Sequence, residues 1–156
     1  MRRMGWMGWA PLLGLLAGSA QAEGLEGLGQ WTGTGVVFNL GTKVTSSFTV
    51  EVTRTAVGSN AVQLKGTARM ANGEEHPIDQ KSIWEGNHFQ IESARGRGNG
   101  ICLGEGICAS YEDLGGDQAL ATTIVLDGPD KMRLLMTELD HGQPVRLIRQ
   151  SLTRKP

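Results

Sequence analysis

Val44-Thr45-Ser46-Ser47-Phe48-Thr49-Val50-Glu51-Val52-Thr53 decides the fold of this 156-residue chain. Val44, Ser46, Phe48, Val50 and Val52 alternate with Thr45, Ser47, Thr49, Glu51 and Thr53, a strict period of two that gives a strand one apolar and one polar face. A turn at Gly58-Ser59-Asn60 follows, and the pattern then repeats: Val62, Leu64, Gly66, Ala68 and Met70 alternate with Gln63, Lys65, Thr67 and Arg69. Two such runs joined by a short turn predict antiparallel neighbours that share one buried face.

Outward from this pair the rest of the chain reads the same way. Upstream, Trp31 to Asn39 forms a first strand. Gly33 and Gly35 lie on the face of Trp31 and Val37, where a missing side chain permits a sharp bend or close packing. Downstream, Asn72-Gly73 is a hairpin signal, and Glu75 to Trp84 a strand that Pro77 places at an edge or beside a bulge. Glu85-Gly86-Asn87 turns into His88 to Ala94, with Phe89 and Ile91 as the buried pair. Arg95 to Gly100 reads as a loop. Ile107 to Asp113, Gln118 to Leu126, Lys131 to Leu139 and Val145 to Thr153 complete the series, separated by glycine-bearing turns.

The count is eight or nine strands, with no amphipathic helix of 10 or more residues. Short successive connections predict an all-β, up-and-down antiparallel meander closing into a small soluble barrel, which removes its edges. A membrane-spanning barrel is excluded, because it needs an apolar outer face. Here the second face of the two clearest strands is Thr, Ser, Glu, Gln, Lys and Arg, so the core lies inside and water outside.

Ahead of the strands, Arg2 and Arg3 lead into an apolar stretch, Met4 to Ala17, that ends at Ala20-Gln21-Ala22, the layout of a secretory signal peptide. Glycines and Pro11 interrupt that stretch, and a spanning helix needs roughly 20 apolar residues. We therefore expect residues 1–22 to be cleaved, leaving 23–156 as a single barrel domain in the periplasm or outside the cell. No membrane insertion of the mature chain is expected. Loss of Arg2 and Arg3 takes the formal charge from −1 to −3, which argues against nucleic acid as a partner.

An exported chain with two cysteines predicts a disulfide. Cys102 and Cys108 flank five residues, and a hairpin turning about Glu105 sets them opposite each other. Zinc needs four ligands, and Cys-x5-Cys is not the redox spacing.

Gly29-Gln30-Trp31 at the start of the first strand resembles the Gly-x-Trp element of lipocalins and the wider calycin group of exported barrels. The resemblance implies that Trp31 closes one end of the barrel and packs against an arginine near the C-terminus. Arg146 and Arg149 are the candidates, and Arg149 is preferred because it shares a face with Val145 and Leu147. The chain departs from standard lipocalins in lacking a Thr-Asp-Tyr-like element and a C-terminal helix. Its disulfide also joins neighbours in a hairpin. A barrel of this size can be hollow or filled by its own side chains.

Catalytic chemistry finds no support. His76 and His88 fall at opposite ends of one hairpin, and His141 sits in a turn, so no metal site and no cofactor are expected. Ser110 lies in Ile107-Cys108-Ala109-Ser110-Tyr111, which is not a nucleophile elbow. Glu74/Glu75 and Glu112/Asp113 are sequence neighbours whose side chains point to opposite faces of a strand. Arg95 and Arg97, among glycines in 94–100, are candidates for an anionic group at the mouth, next to the disulfide hairpin. The expectation is a non-enzymatic barrel that binds a small apolar or amphipathic molecule against Phe48, Val50, Leu64 and Trp84. The alternative is a filled barrel that engages an extracytoplasmic protein through 94–108.

Overall fold

The computed structural model describes residues 27–156 apart from Glu105. The leader expected at residues 1–22 lies outside the described residues. Ten strands follow in order: β1 Gly29–Asn39, β2 Thr45–Ala56, β3 Ala61–Met70, β4 Glu75–Glu85, β5 His88–Ser93, β6 Arg97–Cys102, β7 Ile107–Gly115, β8 Gln118–Leu126, β9 Lys131–Asp140 and β10 Gln143–Arg154. Each pairs antiparallel with its sequence neighbour, and β1 pairs with β10 to close the barrel. The predicted meander of eight or nine strands is therefore correct in kind and short by one at its upper count.

The missing strand is β6, which the sequence reading took for a loop. Its inward positions are Gly98, Gly100 and Cys102, so the apolar face that normally marks a strand is nearly bare. The glycines are required by packing. A methyl group at Gly100 would overlap the ring of Phe89, its register partner on β5, and one at Gly98 would strike the Tyr111 carbonyl on β7. Gly35 stands in the same relation to Phe48 across β1 and β2. Glycines inside strands here mark where rings and backbones close in on one another, as a tightly coiled barrel demands.

The alternation sets the inside and outside. On β2, Phe48, Val50 and Val52 are buried while Thr49, Glu51 and Thr53 are exposed. Trp31 is 1% exposed and pairs with Val52, its indole Nε1 donating to the Gly27 carbonyl at 2.9 Å. Trp31, Phe48, Val50, Val52, Met132 and Leu152 form one core cluster. Phe89, Ile91, Cys102 and Cys108 form a second, and Ile124 packs against both. Pro77 lies where β4 has only β3 beside it, because pairing with β5 begins at Gln80. Its missing N–H costs no ladder bond there.

The connections 57–60, 86–87, 103–106 and 127–130 lie with the start of β1 and the end of β10 at one end of the barrel, which we call the base. The turns 40–44, 71–74, 94–96, 116–117 and 141–142 form the opposite end, the rim. Lys155 straps the C-terminus to the base through its backbone N–H on the Gln30 carbonyl and its Nζ on Glu51.

Candidate ligand-binding site

Both apolar clusters lean toward the base. Cys102 and Cys108 are register partners joined by a disulfide, S–S 2.04 Å, that ties β6 to β7 there. Trp84 faces inward and is half-buried, with its ring 4.6 Å from that of Phe89 and its Nε1 donating to Ser82 Oγ at 3.1 Å. Phe48, Val50 and Leu64 also face inward, Phe48 and Val50 buried and Leu64 partly covered. Four of the residues expected to line the interior therefore do so, Trp84 from the second cluster and the other three from the first or against it.

Toward the rim the lining changes character. The walls of β1 to β3, β9 and β10 carry Val37, Met70, Leu134, Met136 and Ile148 with Gln150 among them, whereas β4 to β8 gather Gln80, Ser82, Ser93, Ser110, Glu112 and Thr122 beside Ile78, Leu120 and Ile124. All are inward by register with the core residues. Most of these inward side chains remain partly accessible to solvent. A filled interior would cover them, and a ten-stranded barrel encloses more space than an eight-stranded one.

Glu112, Thr122 and Gln150 are the exceptions, 7%, 8% and 8% exposed, and Glu112 is the one that carries a titratable group. Glu112 leans across β6, in the space left by Gly98, and accepts a hydrogen bond from Gln80 Nε2 on β4 at 3.3 Å. Burial pushes its carboxyl above the ordinary glutamate range, while the Arg95 charge and the Gln80 hydrogen bond pull partly back. Further round the wall, Glu138 and Arg146 pair at 3.3 Å and neutralise each other. Among the described residues no group of three or more His, Cys, Asp or Glu is arranged to hold a metal ion.

The two arginines expected at the mouth separate. Arg95 lies in the 94–96 turn, whose backbone N–H groups at Arg95 and Gly96 both donate to Ser93 Oγ at 3.2 Å. It is a rim residue close enough to act on Glu112. Arg97 is on the outer face of β6, in register between Glu92 and Asp113, and cannot line the interior. The segment 94–108 is likewise no single surface, because β6 carries the chain from the rim at Arg95 to the base at the disulfide.

The arginine expected against Trp31 is also corrected. Arg149 is exposed on the outer wall, since Ile148, Gln150 and Leu152 take the inward positions of β10 opposite Val37, Gly35 and Gly33. Leu147, whose apolar character suggested the other face, lies outside beside Phe38 on β1. Arg146 faces inward at the rim, far from Trp31. The register partner of Trp31 is Arg154, which pairs with Asp130 at 3.0 Å. Arg54 also points inward at the base, next to Gly27, and burial lowers its pKa.

Two concavities lie on the outer wall. One of about 540 Å³ is lined by Thr34, Val36, Ser47, Thr49, Arg69 and Arg149 over a floor that includes Gly35 and Phe48. The other, about 900 Å³, runs over β4 to β6 past Ile83, Glu85, His88, Gln90 and Asn99. Both are open and neither gathers a buried polar side chain, which the interior does.

The sequence matches no protein-family model and no curated protein. Solved structures do resemble the fold. The S-type phycobiliprotein lyase CPES from Guillardia theta superposes with a TM-score of 0.71 at 11% identity, over 88% of this chain and 97% of that one. Rv2717c from M. tuberculosis gives 0.67 at 17% identity, over 88% and 98%. EF1p2_mFAP2b, solved bound to DFHBI, gives 0.51 at 10% identity, over 87% and 98%. At these identities the likeness is one of fold alone, a closed antiparallel barrel.

Proposed function

We propose that this chain is an exported, non-enzymatic barrel that takes a small apolar or amphipathic molecule into its interior through the rim. The observation that carries this reading is the divided lining above the two core clusters. Apolar side chains predominate on one wall and most of the polar ones gather on the other, and solvent still reaches most of them. Such a site suits a molecule with an apolar body and one polar end. The neighbour solved with DFHBI is a barrel of like fold that holds a small molecule, and it is in keeping with this reading. The apolar leader behind Arg2 and Arg3 and the Cys102–Cys108 disulfide both favour export to the periplasm or beyond. We also read the Gly-x-Trp strand as a calycin feature.

A neutral fluorogenic dye, N-phenyl-1-naphthylamine, tests this reading. Met136 is inward and half-buried, with Thr122 and Ile148 as its register partners, so Met136→Trp obstructs the interior. Dye binding should weaken by about tenfold or more in that variant, a loss of roughly 1.4 kcal/mol. Thr49→Trp, on the outer wall, should leave it unchanged. No dye binding to the parent protein, or a loss at Thr49→Trp alone, contradicts an interior site.

A further inference from the structure

Resting on that reading, we propose that Glu112 receives the headgroup of the ligand, and that the ligand is an amphipathic amine with its protonated nitrogen at the Glu112 carboxylate. The geometry isolates this carboxylate. It is the only inward acid among the described residues of β4 to β8, and the other buried-facing acid, Glu138, is already matched by Arg146 at 3.3 Å. Gln80 supplies one long hydrogen bond, at 3.3 Å, to one carboxylate oxygen. A carboxylate has acceptor sites for several donors, so capacity remains for a second partner.

The surroundings select the partner's charge. Opposite Glu112, the wall of Met70, Met136 and Ile148 offers contact to an alkyl or ring body, and the charges next to it, Glu138 and Arg146, are paired with each other. An ionised carboxylate in such a site is costly without a cation or donor beside it. The nearest fixed cation, Arg95, is exposed on a turn, where solvent screens it. A ligand ammonium delivered to Glu112 favours the ionised carboxylate at close range, and a neutral or anionic headgroup does not.

The test is displacement of N-phenyl-1-naphthylamine at pH 7 by dodecylammonium, dodecanol and dodecanoate, using protein expressed in an exporting bacterial host. Dodecylammonium should displace the dye at about tenfold lower concentration than dodecanol, the scale of one charge-assisted hydrogen bond. Dodecanoate should be the poorest competitor. In Glu112→Gln, the amine and the alcohol should compete within about threefold of each other. An amine advantage that survives Glu112→Gln, or dodecanoate as the best competitor, overturns the assignment. Should Glu112→Gln fail to fold, the order of the three competitors on the parent protein decides alone. Dye binding with no amine preference refutes the headgroup assignment and spares the interior site, whereas absence of dye binding refutes both.

Discussion

The ring of Phe89 lies across Gly100, its register partner on β6, in the volume a side chain at position 100 would fill. Phe48 covers Gly35 on the other side of the barrel in the same way. Each glycine is thus half of a packing pair, and Phe89 is too deeply buried to swing aside. Gly100→Ala should destabilise the protein by about 1–3 kcal/mol, the usual cost of overpacking. In urea unfolding, Phe89→Ala combined with Gly100→Ala should cost less than the sum of the two singles, because the clash is gone. A neutral Gly100→Ala, or strict additivity, would show that the ring does not depend on the glycine.

The inside of the barrel at its base is a matter of bulk. Trp31 is 1% exposed and belongs to the larger core cluster, whereas Trp84 is half-buried beside the smaller one. Trp31→Ala should cost about 3–5 kcal/mol in chemical denaturation, in the range for a buried aromatic truncated to alanine. Trp84→Ala should cost distinctly less. Arg149→Ala should fall within about ±0.5 kcal/mol, as for ordinary surface substitutions, and a large effect there would restore the discarded pairing of Arg149 with Trp31.

The fold was legible where the alternation was two-sided. β2 and β3 announce themselves because every second residue is apolar and its neighbours are polar, and the hairpin corners carry Asn-Gly and Asp-Gly. β6 was illegible because its inward face is two glycines and a cysteine, so the apolar signal belongs to Phe89 on the adjacent strand. The apolar face of β10 misled because Leu147 sits on the outer wall beside Phe38, which no single-strand pattern reveals. Glu112 and Gln80 were hidden for another reason. They lie on β7 and β4, with two strands between them, and only barrel closure and Gly98 bring them into contact. The disulfide was readable because its two cysteines close a hairpin of their own.

That bridge offers a separate measurement. Replacing both cysteines, Cys102→Ala with Cys108→Ala, removes a cross-link that closes a short loop. The loop-entropy estimate gives a loss of about 2 kcal/mol. Urea midpoints with and without reductant should move the parent protein by this amount and leave the double variant where it is. Equal midpoints for reduced and oxidised parent would remove the bridge from the account of stability.

Glu112 imposes a pH dependence whose sign follows from its raised pKa. In the unfolded chain the group titrates near the ordinary glutamate value of 4.5, and in the folded protein burial holds it higher. Between those two points the folded state binds the proton more strongly, so stability falls as pH rises through the window and levels off above it. Relative to Glu112→Gln, the parent should be most stable below pH 4.5 and lose that advantage as the folded carboxyl ionises. Thermal midpoints of the two proteins followed across the acid and neutral range measure the difference. A difference that is flat, or that grows with pH, contradicts a carboxyl whose pKa burial raises.

Native mass spectrometry of the protein recovered from the compartment to which its host exports it tests the central claim most directly. The account predicts a non-covalent adduct of a single small molecule on the parent chain, lost on Met136→Trp and retained on Thr49→Trp. A parent protein that flies only at its bare mass, and that also binds no dye in solution, would mean that the barrel interior holds no ligand.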